Sequence, residues 1–232
     1  YGIAAGSDLI IKGGGKVEAS SIEEAAIWAK DGINISGGSQ VKANSEGDLA
    51  VDTEGSLAVT NASLGASGVE YGVYAYKGVT LDHATVTVRT SASGGQAIAL
   101  ITDGDDIVIK NGSIVDAFAE GKFSVAISTR NHQPNVAGGH IYISDSVVKA
   151  IARYVETGGD GPDHYSNDQS GGVIPEPRGL NIGIFAQTYE GITPASISIV
   201  RSKLTAEGDT AAIFALAISE DGKAIGTIKI EG

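Results

Sequence analysis

One short pattern returns along this chain at an interval of 22–25 residues, and it limits the folds available more than any other feature. It opens with Gly2-Ile3-Ala4-Ala5, continues through Leu9-Ile10-Ile11 and Gly13-Gly14-Gly15, and closes on Val17-Glu18-Ala19. The same order follows as Ala26-Ile27-Trp28-Ala29, Ile33-Asn34-Ile35, Gly37-Gly38-Ser39 and Val41-Lys42-Ala43. Further copies of the opening element begin at Leu49, Val73, Ile98, Ile127, Ile184 and Ile213. Leading positions 3, 27, 49, 73 and 98 are separated by 24, 22, 24 and 25 residues.

The second element repeats as Leu57-Ala58-Val59, Val79-Thr80-Leu81, Ile107-Val108-Ile109, Ile141-Tyr142-Ile143, Ile197-Ser198-Ile199 and Ile228-Lys229-Ile230. Its alternation of apolar and variable positions marks a strand with one buried face. Two residues beyond these strands stand Gly13, Gly37, Asn61, His83, Asn111, Asp145 and Arg201. All but Arg201 are types enriched at positive φ, and a small residue follows each, so a sharp corner is expected there. Glycine, at 33 residues, is about twice as frequent as usual, in keeping with many tight turns.

Three short strands per repeat cannot bury an apolar face alone. Stacking successive repeats about 4.8 Å apart pairs each strand with its equivalents above and below. The expected fold is therefore all-β: a single right-handed parallel β-helix of about eight rungs, spanning residues 1–232. A β-sandwich gives no reason for a corner on a fixed three-strand cycle, and a left-handed hexapeptide helix has a shorter period. The 57 residues from Ile127 to Ile184 hide either a degenerate rung or a long loop. The stretch from about 153 to 180, rich in Gly, Pro and Asp, reads as such a loop.

The formal net charge of −12 disfavours nucleic acid and anionic lipid as partners. With no cysteine there is neither a disulfide framework nor a thiolate metal site. No apolar run is long enough to insert directly into a membrane. The chain starts at Tyr1, and its last repeat shows no polar cap, so flanking domains of a larger secreted protein are expected.

Three constellations carry chemical potential. In the opening element, Trp28, Tyr74, Phe185 and Phe214 occupy the position that faces out if Ile faces in, and Tyr76 points the same way as Tyr74. Such rings offer stacking platforms to sugars. They are equally ordinary strand-favoured residues that a loop or domain covers. Acidic turns form the second group: Asp103, Asp105 and Asp106 at one corner, with Asp160 and Asp163 in the long loop. Clustered carboxylates suit Ca²⁺, although solvated turn residues would look the same.

The third group is Asp105-Asp106 and His140. Asp106 and His140 are expected at equivalent places in successive rungs, which makes them neighbours. Acid–base cleavage of a glycosidic bond needs a second placed carboxylate, and the equivalent position one rung earlier is Gly78.

The rung pattern Gly-Ile-x-Ala, then Ile-x-Ile-x-Gly-Gly-x-x-Val-x-Ala, resembles repeats of secreted β-helix proteins of Gram-positive bacteria. That resemblance implies an extracellular or cell-surface location and carbohydrate binding, with Ca²⁺ at acidic corners in some members. The architecture is also similar to that of pectin-degrading enzymes. The Asp105-Asp106 and Gly139-His140 pairs match part of the galacturonan hydrolase pattern, while that family's Asn-Thr-Asp element has no match. Three functions are therefore carried forward: a non-catalytic module binding polysaccharide or glycan, a polysaccharide-degrading enzyme, and a structural stalk or adhesin repeat.

Overall fold

The computed structural model describes residues 1–93, 95–131, 139–155, 180–189, 195–218 and 226–232. The described residues form 23 strands and no helix, and all strand pairing is parallel. Strands recur in cycles of three. The first of each cycle joins an eight-stranded sheet A running from Ile3–Ala5 to Ala211–Ile218. The second joins an eight-stranded sheet B from Asp8–Ile11 to Gly226–Glu231, and the third a seven-stranded sheet C from Lys16–Ser21 to Lys203–Gly208. The described residues build a right-handed parallel β-helix of about eight rungs, the handedness expected of parallel crossovers between twisted strands. At the usual strand spacing the stack is about 35–40 Å long.

The bore is filled by ladders of equivalent side chains. Ile33, Leu57, Val79, Ile107, Ile141 and Ile197 form one in sheet B; Val41, Leu64, Val86, Val115 and Val148 form one in sheet C. The corner between sheets B and C is turned as the repeat predicts. Gly13, Gly37, Asn61, His83, Asn111, Asp145 and Arg201 all have positive φ, between 43° and 101°.

Sheet A departs from the expected alignment. Its inner ladder is Ile3, Ile27, Val51, Val73, Leu100, Ile127, Ile184 and Ile213. Leu49 and Ile98 are not members; they pair with Tyr71 in a separate file. The cause is an interruption of strand alternation, because Ala50-Val51 and Ala99-Leu100 are consecutive buried pairs. At the equivalent Gly72, a Cβ would overlap the side chain of Val88, so the inner position tolerates no side chain there.

Ile127 pairs directly with Ile184, so no rung is hidden in the 57-residue interval. Most of the segment expected to form a long loop, residues 156–179, lies outside the described residues. No helix among the described residues is long and apolar enough to cross a membrane.

Candidate functional site

The register of sheet A defines what its outer face presents. One file runs Ala4, Trp28, Asp52, Tyr74, Ile101, Ser128, Phe185, Phe214. Beside it, and one position beyond the inward-facing Ala29, Thr53 and Ala75, stand Lys30, Glu54 and Tyr76 on successive rungs. The file divides into two halves of different character.

In the C-terminal half, the face is closed around Phe185, while Phe214 on the last rung is 38% exposed. Ile98, Ile101, Val125, Ile182 and Phe185 form a second apolar cluster, with Tyr71, Tyr74 and Leu180 packed against it. Phe185 is only 6% exposed and stacks on Phe214 with centroids 5.5 Å apart. Its ring therefore offers no free face to a sugar, contrary to the expectation of an open platform. Here the aromatic position serves packing.

In the N-terminal half, the rings are only partly covered. Trp28 and Tyr74 are half-buried, two rungs or about 10 Å apart, and Tyr76 is exposed. Tyr1 lies over Trp28 at 5.6 Å with a 30° tilt. Burial, followed by Glu24 and Asp52, holds the Tyr1 hydroxyl above its ordinary pKa. Tyr74 is positioned from both sides: its ring meets Tyr71 edge-on at 5.5 Å, and its hydroxyl donates to Asp103 Oδ2 at 2.8 Å. Burial and the Asp103 carboxylate push its phenol pKa well up, so it remains a donor.

Between the two rings sits Asp52. Burial, reinforced by the neighbouring charge of Glu54, pushes its carboxyl up to about pKa 6. Along the adjoining edge, where sheet C turns into sheet A, an open groove of about 650 Å³ is lined by Tyr1, Ser20, Ser21, Glu23, Glu24 and Glu46, among others.

The acidic corner at Asp103, Asp105 and Asp106 does not gather around one point. Asp103 accepts from Tyr74 and faces Arg130 Nε at 3.8 Å, so its oxygens meet a phenol and a guanidinium. Asp106 Oδ1 accepts the backbone N–H of His140 at 3.0 Å, which tethers two successive rungs. Asp105 has its pKa raised by burial and by the Asp106 charge, against an opposing effect of Lys77. Among the described residues no three His, Asp or Glu side chains converge as a metal site would require. Asp160 and Asp163, the other expected ligands, lie outside the described residues.

Asp106 and His140 are neighbours, as their repeat positions predict. The chemistry of a base pair does not follow, because the carboxylate holds the His140 backbone rather than a reacting group. The imidazole Nδ1 instead lies 2.7 Å from Ser196 Oγ on the next rung, and its ring is 5.8 Å from that of Tyr142. Gly78 abuts Asp106 from the rung below and supplies no second carboxylate.

Comparisons of the chain with protein-family models, with curated proteins and with solved structures returned no match.

Proposed function

We propose that this β-helix is a non-catalytic module that binds polysaccharide or glycan along the N-terminal half of the outer face of sheet A. The observation that carries it is the pair of half-buried rings, Trp28 and Tyr74, in one file two rungs apart, with the exposed Tyr76 beside them. A parallel stack spaces such rings at about 10 Å, close to the length of two linked sugar rings. The negative ring faces attract the polarised C–H groups on the apolar face of a pyranose. Asp52 and Glu54 supply acceptors for the hydroxyls at the rim of the ring. Location at a bacterial cell surface or outside the cell, suggested by the likeness of the rung to secreted Gram-positive repeats, fits such a ligand.

Glycan arrays followed by titration calorimetry test the proposal. Binding is expected for the parent chain, with a loss of about tenfold or more on Trp28→Ala and a smaller loss on Tyr76→Ala. Blank arrays for a folded parent chain sink it. Release of reducing ends from the bound polymer, abolished by Asp106→Asn, would instead make the module an enzyme.

A further inference from the structure

Asp52 differs from every other acidic residue on this face in how it is held. It occupies the outer file directly between Trp28 below and Tyr74 above. It is half-buried, yet among the described residues no hydrogen-bond donor and no cation is assigned to its carboxylate. Tyr74, which could have donated to it, donates to Asp103 instead. The nearest titratable influence on Asp52 is another carboxylate, Glu54. A partly desolvated anion without a donor is costly, and here no intramolecular contact offsets that cost.

The surroundings carry the same sign. Glu23, Glu24, Glu46 and Asp48 follow one another along the turn from sheet C to sheet A, beside the rings. Lys30 is the cation that shares the neighbouring file with Glu54. A uronate or sulfated sugar laid across Trp28 and Tyr74 would bring its charge against Asp52 and this acidic edge. An ammonium group would meet the reverse: a carboxylate in front of it and electron-rich ring faces on either side.

Resting on the glycan-binding reading above, we propose that the Trp28–Asp52–Tyr74 file selects sugars bearing a free, protonated amine, of the glucosamine type, over N-acetylated and acidic sugars. The two rings accept consecutive sugar units by stacking. Asp52 takes the ammonium of the unit between or beside them.

Trp28 is the chain's one tryptophan, so its fluorescence reports directly on this file. The whole chain is titrated at neutral pH and low salt with a glucosamine hexamer, its fully N-acetylated counterpart, an oligogalacturonate and a lysine hexapeptide. The amine hexamer is expected to bind about tenfold more tightly than the acetylated one, and the oligogalacturonate to bind least. Asp52→Asn, which removes an unpartnered charge, should keep the fold by circular dichroism and bring the two hexamers within about threefold of each other. Glu24→Gln gives a second reading at the groove edge and should weaken the amine hexamer alone. Equal affinities in the parent chain, or a preference that survives Asp52→Asn, overturn amine selection while stacking stands if Trp28→Ala, which lacks the fluorophore and is read by titration calorimetry, still removes binding. A lysine peptide matching the hexamer also overturns it, by moving the specificity to protein amines. If no saccharide binds at all, the glycan reading falls with it.

Discussion

At the scale of single residues, Asp52 and Asp145 show how the same side chain is placed to opposite effect. Asp145, at the B-to-C corner, receives two 2.7 Å hydrogen bonds from Arg201 and is held below its ordinary pKa by them. Its contribution to stability is present at neutral pH and fades as pH falls. Asp52 runs the other way. Its folded pKa of about 6 exceeds the ordinary 3.8, so its favourable contribution is complete below about pH 4 and is lost as pH rises through 6. Asp52→Asn is therefore expected to be more stable than the parent chain at pH 7.5, on the order of 1–2 kcal/mol after allowing for partial solvent screening. Near pH 4 the two should coincide. Urea unfolding at both pH values measures the difference, and an equal gain at both would dissociate it from ionisation. Gly55 makes a different residue-scale demand: a Cβ there would overlap the carbonyl of Asp31 in the rung below. Gly55→Ala must shift backbone, and a loss of roughly 2–4 kcal/mol is expected in the same unfolding experiment.

At the scale of strands and files, burial depends on where in the stack a repeat position falls. Ile109 and Ile230 occupy equivalent places in sheet B, yet Ile109 is fully buried and Ile230 is 66% exposed on the last strand. Ile109→Ala should cost about 2–5 kcal/mol, whereas Ile230→Ala should stay within about 0.5 kcal/mol, both read from denaturant midpoints. The strand cycle and the B-to-C corner were legible in the sequence because both rest on local chemistry: alternation for the strands, positive-φ residue types for the corner. Sheet A was legible only in part. Counting the third and fifth rungs from Leu49 and Ile98 puts the wrong residues on the inner ladder, since consecutive inward residues leave the hydrophobic pattern ambiguous by two positions. Aligning on Val51 and Leu100 gives ladder intervals of 24, 24, 22, 27 and 27 over positions 3, 27, 51, 73, 100 and 127. That same offset concealed Asp52, which takes the repeat position of Trp28 and Tyr74 only in the correct register. The closing of the outer face around Phe185 had no local signal at all, because an aromatic at an outward position reads the same whether or not something packs on it.

At the scale of the whole molecule, the stack is a one-dimensional array in which each rung touches only its neighbours. Its resistance to opening should then follow position along the rod more than residue type. The two ends are unlike its middle. On the first rung the inward Ile3, Leu9, Ile11 and Val17 are only partly buried although Ala19 is buried, and the last strand, Gly226–Glu231, is exposed throughout. From the fourth to the sixth rung, by contrast, the bore is fully buried, and the second apolar cluster on sheet A ties the fifth to the seventh from outside. Native-state hydrogen exchange should reveal this as a gradient: slow amides in Gln96–Thr102, Ile107–Lys110 and Ile114–Gly121, fast ones in Asp8–Ile11 and Gly226–Glu231. The proposed binding face spans the second to the fourth rung, between the exposed first rung and the middle of the stack. A ligand bridging Trp28 and Tyr74 clamps adjacent rungs to one another, so saturating glycan should slow exchange in Ile27–Ala29 and Leu49–Thr53 while leaving Gly226–Glu231 unchanged. Protection that rose uniformly along the rod would instead mean that the stack opens as one unit, and the nearest-neighbour account of its stability would be wrong.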